Sequence, residues 1–331
     1  MTSEDPGITG DSTLGQIGEF GLINRVARTV PQGPAVLLGP GDDAALVTAA
    51  DGRVVASTDL LVEGRHFRRD WSTAYQIGRK AAAQNLADIA AMGGVGTALL
   101  VGLAAPADLT LSWARDLSAG LAEEAALVGA SVAGGDTVRA ETLLIAVTAL
   151  GDLQGRAPVT RAGARPGDVV AYAGELGWSA CGLELLLREA DGPKQALARH
   201  RSPEPPYAQG PAAALAGATA MLDVSDGLLA DVRHICEESG VTIDLDPDAF
   251  PVDARLRATA GQLGLDVLDW ILTGGEDHAL AACFPAAAAL PPGWTAVGRV
   301  LGPVEPAAGV PLVTVAGRPW AGAAGWDHFQ R

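Results

Sequence analysis

The chain has 331 residues, nearly half of them hydrophobic, a length that suits two ordinary globular domains better than one. Its formal charge of −16 argues against nucleic-acid binding, which shows itself as a basic patch, but leaves anionic small substrates open where a metal cation mediates. The three cysteines, Cys181, Cys236 and Cys283, have neither zinc-ligand spacing nor disulfide density, so a reducing, cytoplasmic setting is expected.

The polar start MTSEDPGITGDST is no signal peptide, and residues 1–13 are expected to be disordered. Helical periodicity follows over 14–30 (Ile17, Phe20, Ile23, Val26), then a short strand at 35–38. Apolar runs at 44–47 and 53–57 flank Asp51-Gly52, the signal for a hairpin. Ser72 is placed to cap a long helix that ends near residue 92, before Gly93-Gly94. The apolar run 95–104 is too short to span a membrane and predicts a buried strand. A helix from Asp108 or Thr110 to near Gly129 and strands at 130–133 and 143–150 complete the first half. Residues 151–167, rich in Gly, Pro and Arg, mark the crossing between domains. The second half predicts strands at 168–173, 220–224, 241–245, 278–284, 295–300 and 312–315, with helices at 179–190, 212–219, 227–239 and 253–263. These elements place each half in the mixed α/β (α+β) class, with domains at 14–151 and 152–331.

Gly39-x-Gly41-x-x-Ala44 after a strand, with Asp59 about twenty residues on, imitates a dinucleotide fingerprint. The gap holds a hairpin signal where that fingerprint needs a helix, and Asp42 and Asp43 would face the pyrophosphate. A Walker loop is excluded as well: the lysines are Lys80 and Lys194, and neither sits in Gly-Lys-Ser/Thr. His234-x-Cys236 reads as packing rather than a zinc site.

The stronger pattern is aspartate at element edges: Asp42-Asp43, Asp59 after Ser57-Thr58, Asp136 after Gly134-Gly135, and Asp223 and Asp226 around Val224-Ser225. Singly, each fits a turn or a cap. Asp88 does not, because it lies mid-helix among Leu86, Ile89 and Ala90. Clustered carboxylates cannot all stay ionised without cations, and Mg²⁺ is a hard ion that takes oxygen ligands and phosphates.

In order along the chain, GPGDDAAL, STDLLVEGRHF, NLADIAAMG, GGDT, TRAGARPGD, DVSDGL, TGGEDHAL and GWDHF resemble the thiamine-monophosphate kinase family, of the superfamily that includes aminoimidazole-ribonucleotide synthetase. The likeness spans about residues 18–329; DVSDGL or GGDT alone would mark only the superfamily. It implies an N-terminal ATP- and Mg²⁺-binding domain that joins two copies as a homodimer, and a C-terminal α/β domain that completes the active site. It implies Mg²⁺ ligands at Asp43, Ser57, Thr58, Asp59, Asp88, Asp136, Asp223 and Asp226, with Asp42 beside them, and Asp43, Asp136 and Asp226 as the catalytic acids. ATP would touch Gly135, Asp136, Arg161 and Ser225; thiamine monophosphate would meet His66, Glu276 and Trp326. The implied reaction moves the γ-phosphoryl of ATP onto a phosphate monoester. That acceptor has a second pKa of about 6 and needs no general base.

Lys80, about two turns from Asp88, is placed either toward the phosphates or at the surface, and the remaining histidines are read as structural. Two other branches of the superfamily need a reactive cysteine near one terminus, which is not seen here: no cysteine precedes Cys181 and the sequence ends Phe329-Gln330-Arg331. Aminoimidazole-ribonucleotide synthetase itself and a non-enzymatic metal-binding scaffold are the alternatives, and STDLLVEGRHF and GWDHF point away from the former.

Overall fold

The computed structural model describes residues 8–26, 29–38, 45–303 and 312–326. The chain divides into two units, residues 1–89 with 95–154, and residues 90–94 with 155–331. Among the described residues no helix is long and apolar enough to cross a membrane.

In the first unit α1 (Leu14–Arg25) precedes a two-stranded pair, β1 (Val36–Leu38) and β2 (Leu46–Val47). The main sheet follows the order β3-β6-β4-β5, built from β3 (Val55–Val62), β4 (Val95–Ala105), β5 (Ser131–Arg139) and β6 (Leu144–Asp152). β6 runs antiparallel to β3 and β4, whereas β4 and β5 are parallel. A parallel pair needs a long crossover, and α3 (Leu111–Ala126) supplies it. Strand alternation buries Ile145, Val147 and Ala149 completely, so one sheet face is the core, with α2 (Ala74–Ala91) and α3 over it. The two helices cross closely on glycines: a Cβ at Gly120 would stand 2.0 Å from the Tyr75 carbonyl oxygen, and one at Gly78 2.1 Å from that of Leu117.

The second unit holds a sheet in the order β13-β12-β9-β11-β7-β10-β8. Its strands are β7 (Val169–Ala173), β8 (Ala220–Val224), β9 (Val241–Leu245), β10 (Ala279–Phe284), β11 (Trp294–Pro303), β12 (Val313–Val315) and β13 (Arg318–Pro319). The pairs are antiparallel except β12 with β9. Helices α4 (Trp178–Arg188), α7 (Leu228–Ser239), α8 (Ala254–Leu263) and α9 (Val267–Thr273) share one core with Val170, Leu222 and Val224. The alternate residues Ala171, Met221 and Leu280 share another with α6 (Gln209–Leu215). Burial on both faces explains why β10 reads as a continuous apolar run, and β8 as one broken only by Asp223. The remaining helix, α5 (Lys194–Arg201), packs on α4 through Gly182, whose Cβ would stand 2.2 Å from the Ala196 carbonyl oxygen.

Several expectations change. Residues 10–13, expected to be disordered, are tied to the start of α3: Leu111 N–H donates to Ser12 O and Ser112 N–H to Gly10 O, both at 2.8 Å. The Asp51-Gly52 turn forms, with Gly52 at φ 76°, but its flanks do not pair with each other. β2 pairs backward with β1 and β3 pairs with β6. Residues 45–62 are thus strand and turn rather than the helix that a dinucleotide fold needs before Asp59. Thr73, not Ser72, starts α2: its hydroxyl accepts Gln76 N–H at 3.3 Å and Gln76 Oε1 accepts Thr73 N–H at 3.0 Å. β5 does not stop at residue 133 but continues through Gly134, Gly135 and Asp136. Lys80 is buried rather than exposed.

Candidate active site

In the first unit, β3 sorts its predicted residues by alternation. Ser57 and Asp59 lie on the core-side face, in register with Ala149 and Val147. α2 brings its polar residues onto them. Ser57 Oγ donates to Asp88 Oδ2 at 2.6 Å, Gln84 Nε2 donates to Asp59 Oδ2 at 3.2 Å, and Asn85 Oδ1 accepts Asp59 N–H at 3.0 Å. Asn85 is fully buried and its amide nitrogen is anchored on Ala81 O at 2.9 Å. The spacing Gln84-Asn85-x-x-Asp88 therefore sets three polar groups against one strand, which accounts for an aspartate in mid-helix.

Thr58 and Asp136 stand on the opposite, exposed face. Thr58 pairs with Thr148, whose hydroxyl donates to Thr58 Oγ1 at 3.0 Å, and Asp136 is in register with Gly102, which itself pairs with Ala146. Asp136 accepts Thr137 N–H at 2.8 Å and is otherwise open. Gly135 beside it is required by the strand pair, since a Cβ there would stand 1.9 Å from Val101 O. His66 folds back on its own turn, its Nδ1 accepting Val62 N–H at 3.0 Å, so the neutral ring carries its proton on Nε2. Asp42 and Asp43 lie outside the described residues.

In the second unit, β8 delivers Asp223, buried, and then Ser225 and Asp226, half-buried, before Gly227 opens α7. Asp231, on the first turn of that helix, accepts Asp226 N–H at 3.0 Å and Gly227 N–H at 3.1 Å. Burial, and then the charges of Asp223 and Asp226, push the Asp231 carboxyl up to about 8. This is the crowding of acids that a divalent cation relieves. Trp326 is 60% exposed, and its N–H donates to Asp226 O at 2.9 Å, which links a predicted substrate residue to a predicted metal residue. Arg161 is exposed, with its carbonyl held by Ser239 Oγ at 2.9 Å.

Glu276 sits at φ 69° in the loop before β10, its N–H donating to Ser225 O at 2.8 Å. Its neighbour Asp277 turns inward, both carboxylate oxygens accepting main-chain N–H groups at the start of α4, from Gly177 at 2.6 Å and Ser179 at 2.7 Å. Burial pushes Asp277 up to about 7, although those two donors pull the other way. Next along, His278 Nδ1 lies 3.1 Å from Asp223 Oδ2 in a buried pair. Asp231, Asp277 and His278 were not singled out from the sequence; an acid one turn into a helix that begins at a predicted aspartate was the available signal for Asp231.

Every candidate ligand offers oxygen, which fits Mg²⁺. Among the described residues no three Asp, Glu, His or Cys side chains of this chain converge as a metal-holding group. The cysteines are buried and free; burial pushes the Cys181 thiol up to about 11 and the Cys236 thiol to about 12, and no thiolate chemistry follows from them. Cys236 Sγ donates to Leu312 O while His234 faces Glu237, so the pair is packing, as read.

Residues 41–153 match the N-terminal domain of AIR synthase related proteins and residues 165–286 their C-terminal domain. The thiamine-monophosphate kinase of Mycobacterium tuberculosis (strain H37Rv) is 52% identical over 332 residues, covering 99% of this chain and 97% of the relative. That of Corynebacterium glutamicum is 39% identical, covering 96% and 95%. Among solved structures, AaThiL complexed with AMPPCP and TMP superposes with a TM-score of 0.76 at 30% identity, covering 95% of this chain and 97% of that one.

Proposed function

The chain belongs to the thiamine-monophosphate kinase family, and from that premise we propose that it transfers the γ-phosphoryl group of ATP in line onto thiamine monophosphate, with several Mg²⁺ ions, giving thiamine diphosphate and ADP. The observation that carries this reading is the gathering of oxygen donors alone. Ser57 donates to Asp88 and Gln84 donates to Asp59 where α2 lies on one strand, and Asp223 and Asp226 follow one another at the end of β8. Donor and acceptor are both polyanions, so the chief task is neutralising charge rather than removing a proton. When bound, Mg²⁺ would supply that neutralisation.

The proposed ligands are Asp43, Ser57, Thr58, Asp59, Asp88, Asp136, Asp223 and Asp226. Arg161, exposed on its loop, is suited to brace phosphate oxygens bidentately, with Gly135, Asp136 and Ser225 beside the nucleotide. The exposed Trp326 ring offers a face to the flat cationic heterocycle, Glu276 an acceptor for the aminopyrimidine, and His66 an Nε2–H donor. We further propose a homodimer formed through the exposed face of the N-terminal sheet, where Leu60 and Val138 stay open.

The test is direct. Folded protein, MgATP and thiamine monophosphate are incubated and the products resolved by phosphorus NMR, beside a panel of other phosphate acceptors. Thiamine diphosphate with stoichiometric ADP is expected. ADP formed with another acceptor and none with thiamine monophosphate would remove the reading.

A further inference from the structure

We propose that His278 is a positioning residue for Asp223, holding that carboxylate in the orientation in which it takes a divalent cation; this rests on the reading of Asp223 as a metal ligand. Residues 274–278 place two non-glycine residues in the left-handed region, Glu276 at φ 69° and His278 at φ 52°. Such backbone persists only where its surroundings hold it, and it concentrates at working sites. Here the surroundings do hold it. Glu276 N–H and His278 N–H donate to Ser225 O at 2.8 Å and Val224 O at 3.0 Å, along the segment that carries the predicted aspartates. The two loops interlock through glycines: a Cβ at Gly275 would stand 2.4 Å from Ser225 O, and one at Gly227 2.6 Å from Thr273 O. Asp277 is anchored on the start of α4.

The outcome is a His278 side chain 5% exposed and an Asp223 side chain 9% exposed, with Nδ1 3.1 Å from Oδ2. A carboxylate only accepts, so Nδ1 carries the hydrogen and donates. The contact on Oδ2 thereby sets the orientation of the whole carboxylate. A partner behind a metal ligand sets its orientation, and removing such a partner typically costs 10–100-fold in metal affinity or activity.

The experiment measures Mn²⁺ binding by electron paramagnetic resonance, with AMPPCP present and no thiamine monophosphate. His278→Leu removes the donor; His278→Asn keeps an N–H at nearly the same place and tolerates positive φ. The dissociation constant is expected to rise roughly tenfold or more in His278→Leu and to stay within about threefold of wild type in His278→Asn. In an Asp223→Asn background the Leu substitution should add nothing. Unchanged Mn²⁺ binding in His278→Leu overturns the proposal, as does an equal loss in the Asp223→Asn background, which would mark His278 as a packing residue. Should His278→Leu lose its circular dichroism, His278→Gln, whose donor lies one bond too far out, takes its place. A wild type that binds Mn²⁺ but forms no thiamine diphosphate defeats the kinase reading alone.

Discussion

At the scale of single residues, exposure separates function from stability. Asp136 is open to solvent and accepts one neighbouring N–H, so little of the fold depends on it. Asp136→Ala is expected to shift unfolding free energy by no more than about 0.5 kcal/mol. If it is a metal ligand, turnover should fall roughly a hundredfold or more. Urea titration beside steady-state kinetics checks both, and near-normal kcat would remove Asp136 from the site. Trp326 makes a second case, since the residue is 60% exposed while its main-chain N–H is bonded to Asp226 O. Trp326→Ala leaves the main-chain bond and removes the ring. A stacking contact worth about 1 kcal/mol predicts a rise of about fivefold in KM for thiamine monophosphate with kcat unchanged. An unaltered KM would return Trp326 to the surface. With seven tryptophans in the chain, kinetics is a better readout here than fluorescence.

At the scale of elements, the loop before β10 turns three successive side chains to three tasks, and only one was legible. Glu276 was read from the family motif; Asp277 and His278 depend on the antiparallel register that sets Leu280 opposite Asp223 and so brings His278 to Asp223, fifty-five residues away in the chain. Runs such as 279–284, wholly apolar, and 220–224, apolar but for Asp223, were legible because both faces are covered. The Asp51-Gly52 turn was legible as a turn and misleading as a hairpin, because turn chemistry is local whereas β3 finds its partner in β6. Gly134-Gly135 read as a strand end, yet there the glycine serves the close approach of β4. The short helices α5 and α9 gave too few turns for periodicity to register. Asp277 carries a pH prediction of its own. With its carboxyl raised from 3.8 to about 7, the folded state keeps a proton that the unfolded state releases. Stability from this group is therefore full below pH 3.8, falls as pH rises toward 7, and is flat above. Asp277→Asn abolishes that slope but leaves one of the two N–H groups facing a donor, so the variant is less stable at low pH. The wild type's advantage should shrink by a few kcal/mol, at most ~4 kcal/mol, between pH 4 and 7.5 in urea titrations. An advantage that grows with pH would show that the two N–H donors outweigh burial.

At the scale of the whole molecule, the N-terminal sheet is finished on one side only. Its inner face is sealed by α2 and α3, but the outer face leaves Leu60 at 54%, Val138 at 53% and Leu100 at 36% exposure. Registers place all three on the side that also carries Thr58 and Asp136. The predicted metal set is thus divided between two faces of one sheet, with Ser57, Asp59 and Asp88 on the other. On the homodimer proposed above, a second copy laid on the outer face would bury the leucines and take Asp136 out of open solvent, and activity is then expected to depend on assembly. Leu60→Glu puts a charge at the middle of that face without touching the core, since the side chain already lies in solvent in the single chain. Sedimentation equilibrium is expected to give twice the chain mass for wild type and a mixture shifted toward the single chain for Leu60→Glu, with turnover falling in proportion to the dimer lost. Thermal unfolding should stay concentration-dependent in wild type and lose that dependence in the variant. A wild type that sediments as one chain at full activity would separate the exposed face from catalysis and leave Asp136 to act within a single protomer.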